Sequence, residues 1–179
     1  MTLVADDDAF DRLFASVERA AYRLETRDFY DVPVEREGYR RFLAGDDPGT
    51  DWFEPWLQVI RTATAAGRRF ERVRVAREPL TDYLSFELWA SQYNVEVGED
   101  MRYLDADRAG ELGLPDYDYW LFDDDRLVRM YFNDGGRMEK AEIITDPAAV
   151  EAHQRHRRLA WAEAVPYAQY AAAHPPGRW

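Results

Sequence analysis

The chain holds 179 residues with 35 acidic against 23 basic side chains, a formal net charge of −12. Nucleic-acid affinity rests on neutralising phosphates, so this balance disfavours a direct DNA or RNA binder, and it equally disfavours an anionic membrane surface. Cysteine is absent, which excludes disulfides, thiolate metal sites and thiol nucleophiles.

Taken in chain order, Asp6-Asp7-Asp8 predicts a helix start, offering a cap and negative charge at the positive end of the dipole. Phe10, Leu13, Phe14, Val17 and Leu24 then recur at three- and four-residue spacing, the stripe of an amphipathic helix. Between Tyr22 and Tyr30 the pattern alternates instead, so a short strand competes with that helix, and Pro33 ends the segment. A short charged helix is expected over Glu35–Leu43, then a turn at Gly45-Asp46-Asp47-Pro48-Gly49. A helix from Asp51 to Ala66 follows, with Gly67 as its C-cap. Phe70, Val73 and Val75 alternating with Arg72, Arg74 and Arg77 predict a strand. Pro79 closes it, and Thr81 or Asp82 caps the next helix, whose Tyr83, Phe86, Ala90, Tyr93 and Val97 share one face before Gly98.

A short strand at Met101–Leu104 leads through a polar segment to Gly113-Leu114-Pro115. Strands near 117–122, 127–132 and 139–145, joined at Asp123-Asp124-Asp125 and Asn133-Asp134-Gly135-Gly136, predict an antiparallel meander. Pro147 then opens a long helix running toward Tyr167. The fold class is mixed α/β: a single central mixed sheet with helices on both faces. One domain over residues 1–170 and a flexible tail over 171–179, marked by Pro175-Pro176-Gly177, complete the organisation. The first residues carry neither the basic start nor the apolar stretch of a secretory signal, which predicts a cytoplasmic protein.

The segment from Arg74 to Glu87 takes a strand end into a helix N-terminus, where ligands of α/β sheets collect. Glu87 lies beside the aromatic face of its helix and requires a partner such as Arg27 or Arg74. A polar pocket there would be lined by Arg27, Tyr30, Arg74, Glu78, Asp82, Tyr83, Glu87 and Trp120. Arg68, Arg69, Arg72, Arg74 and Arg77 read as a mixed-charge basic patch. His153 and His156 stand three apart on a helix, but two ligands do not complete a metal site, and packing is the expected role. Asp123-Asp124-Asp125 lacks calcium-loop spacing and is expected to be a solvated turn. Neither a phosphate-binding glycine loop nor a nucleophile elbow occurs, and no cofactor is expected.

Phe10-Asp11-Arg12-Leu13-Phe14, Leu24 through Tyr30, Trp56-Leu57 with Arg72 through Val75, Glu78 through Tyr83 with Phe86-Glu87, Trp120 through Asp123 and Trp161 through Pro166 together resemble an actinobacterial family of unknown function. The resemblance covers nearly the whole chain. It implies a cytoplasmic protein often encoded beside helix-turn-helix regulators, and it carries no established activity or catalytic residue. The β-α-β-meander-helix order from Arg72 onward also resembles a phospholipase D-like half-domain. Active members of that superfamily carry an H-x-K pattern. Here Lys140 is the single lysine and has no histidine near it, so phosphodiester chemistry is not expected.

Charge, missing motifs and resemblance together lead to an expected non-enzymatic regulatory or binding module that docks a protein partner, plausibly a helix-turn-helix regulator. The alternative is a small-molecule sensor or enzyme using the polar pocket at 74–87.

Overall fold

The structure, a computed structural model, describes residues 3–5 and 7–175. Strand β1 (Leu3–Ala5) and helix α1 (Asp7–Ala15) lead into strand β2 (Ala20–Glu25), followed by helices α2 (Arg36–Ala44) and α3 (Glu54–Ala65). Strand β3 (Arg69–Ala76), helix α4 (Asp82–Glu96), strand β4 (Asp100–Asp105) and helix α5 (Ala106–Glu111) come next. Strands β5 (Tyr119–Phe122), β6 (Arg126–Phe132) and β7 (Met138–Ile144) precede helix α6 (Pro147–Glu163), the two-residue strand β8 (Val165–Pro166) and helix α7 (Tyr167–Ala173). The eight strands among the described residues form one mixed sheet in the order β1-β7-β6-β5-β2-β3-β4-β8. β2, β3 and β4 are parallel, while β5, β6 and β7 make the expected antiparallel meander.

Strand alternation divides the core into two layers. Ala21, Phe70, Trp120, Phe122 and Val128 pack beneath Leu13 of α1 and Ile60 of α3. On the opposite face Tyr22, Leu24, Val73, Tyr119 and Leu127 meet Val150 and Ala160 of α6. Helices therefore cover both faces, as the composition allowed. α4 starts where Thr81 Oγ1 accepts the Leu84 N–H at 3.1 Å, and α6 where Asp146 accepts the Ala149 N–H at 2.9 Å.

Several boundaries differ from expectation for identifiable reasons. Leu24 belongs to β2 rather than to the first helix, because Ala20–Glu25 is sandwiched between β3 and β5 and the sheet overrides the helical spacing. α1 begins at Asp7, and Asp6 lies outside the described residues. The polar segment after β4 forms α5, capped by Asp105, whose carboxylate accepts the Arg108 N–H at 2.9 Å. The last long helix stops at Glu163, short of Tyr167, because 165–166 add β8 to the β4 edge. The tail expected to be loose from Ala171 is helical through Ala173. Tyr170 there stacks on Tyr103 at 4.3 Å between centroids, and His174 sits 2.8 Å from Glu78; residues 176–179 lie outside the described residues.

Asp123 is the clearest correction at a turn. Expected to be solvated, it is 9% exposed, and its carboxylate accepts the backbone N–H groups of Glu18, Arg19 and Ala20 at 3.2, 2.7 and 3.1 Å. It ties the start of β2 to the β5–β6 turn. Burial raises its pKa, but these backbone bonds and Arg126 outweigh that and hold it below the usual carboxylate range.

Candidate functional site

The sheet face beneath α4 changes from apolar to ionic toward the C-terminal ends of β2 and β3. Register sets Arg23 beside Arg72 and Glu25 beside Arg74, all facing one layer. Glu25 is 3% exposed and receives Arg23 Nε at 3.0 Å, Arg72 Nη1 at 2.7 Å and Arg74 Nη2 at 2.5 Å. Arg72 also meets Glu99 at 2.8 Å, and Asn94 of α4 donates to the same Glu99. Arg74 reaches Glu87 of α4 at 2.5 Å. Burial would raise the Glu25 pKa, but the arginines around it prevail and hold its carboxyl far below the usual range. The network is a charge-balanced brace between sheet and helix, because a buried charge persists only when paired.

The expected pocket residues are therefore distributed rather than convergent. Arg74 and Glu87 belong to the brace, and Trp120, 2% exposed, lies in the core below Arg23 and Arg72, whose guanidinium carbons stand 5.4 and 5.9 Å from its ring. Tyr83 is buried and donates to Glu35 at 2.8 Å. Glu78 and Asp82 are exposed. Arg72 and Arg74, expected in a surface basic patch, are 8% and 2% exposed, because helices cover both faces of β3. Arg27 lines a cavity, and Tyr30 backs it by donating to Asp118 at 2.7 Å.

That cavity, about 180 Å³, opens because β5 is short. Its four residues lie between the six of β2 and the seven of β6, so 26–27 and 130–132 flank the loop that precedes it. Asp118 closes the floor. Its side chain is fully buried and accepts Thr26 N–H at 2.9 Å, Thr26 Oγ1 at 3.0 Å and Arg23 Nη2 at 3.1 Å. Tyr117, Arg129, Tyr131 and Phe132 complete the walls, and of these sequence reading singled out none as a site residue. A second cleft of about 380 Å³ shares Thr26, Arg27 and Asp116, and adds Asp28, Phe29 and Asp134. Gly136 lines it in a left-handed conformation (φ +82°), and a Cβ there would stand 2.9 Å from Phe29.

Glu35, whose carboxylate accepts the Tyr83 hydroxyl, lies outside the cleft. Burial and then the nearby Glu87 charge push its pKa up to about 8, against the Tyr83 hydrogen bond and Arg74. A folded-state value above the unfolded one, about 4.3, means the folded protein keeps the extra proton. The resulting stability is full at low pH and is lost as pH rises through about 8. The urea midpoint of the parent, measured relative to Glu35→Gln, should decline between about pH 5 and 8.5. Parallel curves would show that Glu35 ionises freely.

His153 and His156 pack with rings 5.6 Å apart, and His153 bonds the Tyr117 hydroxyl at 3.0 Å and the Ala149 carbonyl at 2.8 Å. Among the described residues no group of three histidine or acidic side chains could hold a metal ion. No helix among them is long and apolar enough to cross a membrane.

The mixed sheet and its flanking helices place the chain in the phospholipase D fold class. The phospholipase D family member Nuc from Salmonella typhimurium superposes with a TM-score of 0.57 at 12% identity, covering 93% of this chain and 97% of that one. NucT from Helicobacter pylori gives a TM-score of 0.52 at 11% identity with the same coverage. At such identity the likeness concerns the fold alone. Within that class the chain belongs to a family described as a domain of unknown function, DUF6879, whose model matches residues 8–172. No curated protein sequence matches the chain.

Proposed function

We propose that the protein is a non-enzymatic binding module that docks a basic protein partner, and, on the family resemblance, that this partner is a DNA-binding regulator of the helix-turn-helix kind. One observation carries this reading. Asp28, Asp82, Asp116 and Asp134 are exposed, and none is held in an ion pair among the described residues. All four follow β2, β3 or β6 or precede β5, so they share one end of the sheet. Buried charge closes on itself in the brace, whereas Asp28, Asp116 and Asp134 line the cleft and Asp82 lies at the same sheet end. An acidic rim of this kind steers basic partners and repels nucleic acid.

The charge of −12 supports the same reading. A hydrolytic role is disfavoured by the lack of an H-x-K pattern. Lys140, the single lysine, is on β7 with its Nζ 4.4 Å from the centroid of the Tyr131 ring of β6, and His153 is on α6.

The test is affinity capture from extracts of the source organism at physiological salt. The parent should retain a basic DNA-binding protein, and a variant carrying Asp28→Asn, Asp82→Asn, Asp116→Asn and Asp134→Asn should release it. Failure to retain such a protein, or equal retention by both, would refute the proposal.

A further inference from the structure

We infer that the cleft between the C-terminal ends of β2 and β6 is a binding site for a small molecule with one anionic head, a carboxylate or phosphate monoester, on an aromatic body. This inference stands apart from the docking role and does not depend on it.

The argument begins with two arginines. In a chain with this excess of acid, most buried or half-buried guanidiniums have a carboxylate: Arg23, Arg72, Arg74, Arg126 and Arg157 each hold one. Arg129 does not. Among the described residues no hydrogen bond or ion pair reaches its guanidinium, which is held between the rings of Tyr117 and Tyr131, 3.8 and 5.0 Å from their centroids. Arg27 lies 5.3 Å from the Phe132 ring and gives one Nη2 bond, at 3.3 Å, to the Asn133 carbonyl. The Nε groups of both are sealed from water without an acceptor. Both arginines line the same cavity.

A guanidinium presents five donors in a planar fork suited to a carboxylate or phosphate. Ring contacts hold both guanidiniums; among the described residues the Nη atoms of Arg129 and the Nη1 of Arg27 have no protein acceptor, while Arg27 Nη2 bonds the Asn133 carbonyl, so the site is pre-shaped for an anion. Asp118 cannot serve as that anion, because its oxygens are already engaged by Thr26, Arg23 and Tyr30.

Size and surroundings narrow the class. A cavity of about 180 Å³ admits a head group and little more. The adjoining cleft offers Phe29, 42% exposed, as an apolar wall for an attached ring. Asp28, Asp116 and Asp134 at its edge would repel the successive charges of a phosphodiester chain. A compact anion therefore fits, and a polynucleotide does not.

The test is isothermal titration calorimetry on the full chain at low ionic strength with phenyl phosphate, benzoate, inorganic phosphate and an oligothymidylate. Phenyl phosphate or benzoate should saturate at one site per chain, more tightly than inorganic phosphate, and which of the two is tighter identifies the natural head group. Arg27→Gln and Arg129→Lys should each weaken that binding about ten-fold, the loss of one charge-assisted contact. Their urea midpoints would verify the fold. Absence of saturation by both aromatic probes, unchanged affinity in both variants, or tighter binding of the oligothymidylate would overturn the inference.

Discussion

Glu25→Ala is expected to lower the unfolding free energy by about 3–5 kcal/mol, the scale of breaking a buried charge network by removing one partner. Glu25 accepts from Arg72 and Arg74 and ion-pairs with Arg23, and its side chain is 3% exposed. After the substitution Arg72 keeps Glu99, Arg74 keeps Glu87 and Arg23 keeps Asp118, but three positive charges then face one another across adjacent strands. Arg74 is least able to adapt, since its Nη1 already lacks an acceptor. The exposed Glu37–Arg40 pair is the control, and Glu37→Ala should cost far less than Glu25→Ala because solvent screens an exposed pair. The pH dependence has a definite sign. Glu25 titrates lower in the folded state than in the unfolded one, so its stabilisation is present above about pH 4.3 and is lost as pH falls below that. Urea unfolding at pH 7 and pH 3.5 reads both effects. A Glu25→Ala loss no larger than that of Glu37→Ala would show that the brace contributes nothing.

Phe86→Ala should cost about as much, about 3–5 kcal/mol, through transfer and cavity terms. Phe86 is fully buried on the outer side of α4, with the rings of Tyr39, Phe42, Trp52 and Trp89 at 5.4, 5.4, 5.6 and 5.8 Å. Such clusters are worth more than their area alone because edge and face arrangements are specific. It joins α2 and the Trp52 segment to a helix whose other side lies on the sheet. The substitution should therefore also change the fluorescence of Trp52 and Trp89 in the native baseline. A loss below that of the partly exposed Phe29→Ala would place the stabilising packing elsewhere.

These two sites mark how far the sequence could be read. Phe86 was legible, because Tyr83, Phe86, Ala90 and Tyr93 recur at helical spacing and local periodicity reports a buried face. The brace was half legible. Alternation identifies β3 and its arginines, and of Arg27 and Arg74, the two partners the sequence offers Glu87, the geometry selects Arg74. The alternation could not tell that the arginine face is also covered. That depends on α4 lying over it, and the matching acids come from Glu25, 49 residues from Arg74, and Glu99, 27 residues from Arg72.

The cleft was legible only at Arg27 and Tyr30. Arg129 reads as one polar position of an ordinary strand, and nothing local marks it as lacking a carboxylate. The cavity arises from a mismatch in strand length between β5 and its two neighbours, which is a property of three-dimensional register. β1, β8 and α5 were missed because segments of three, two and six residues are too short to establish a period.

The central claim is that the strand-end cleft at Arg27 and Arg129, and not the braced junction at 74–87, is the face that meets a ligand. Backbone amide chemical shifts recorded while phenyl phosphate is titrated into the isotope-labelled chain test it directly. Changes concentrated at residues 26–30, 116–118 and 129–134 are expected. Changes centred on 77–87, with the cleft amides still, would contradict it.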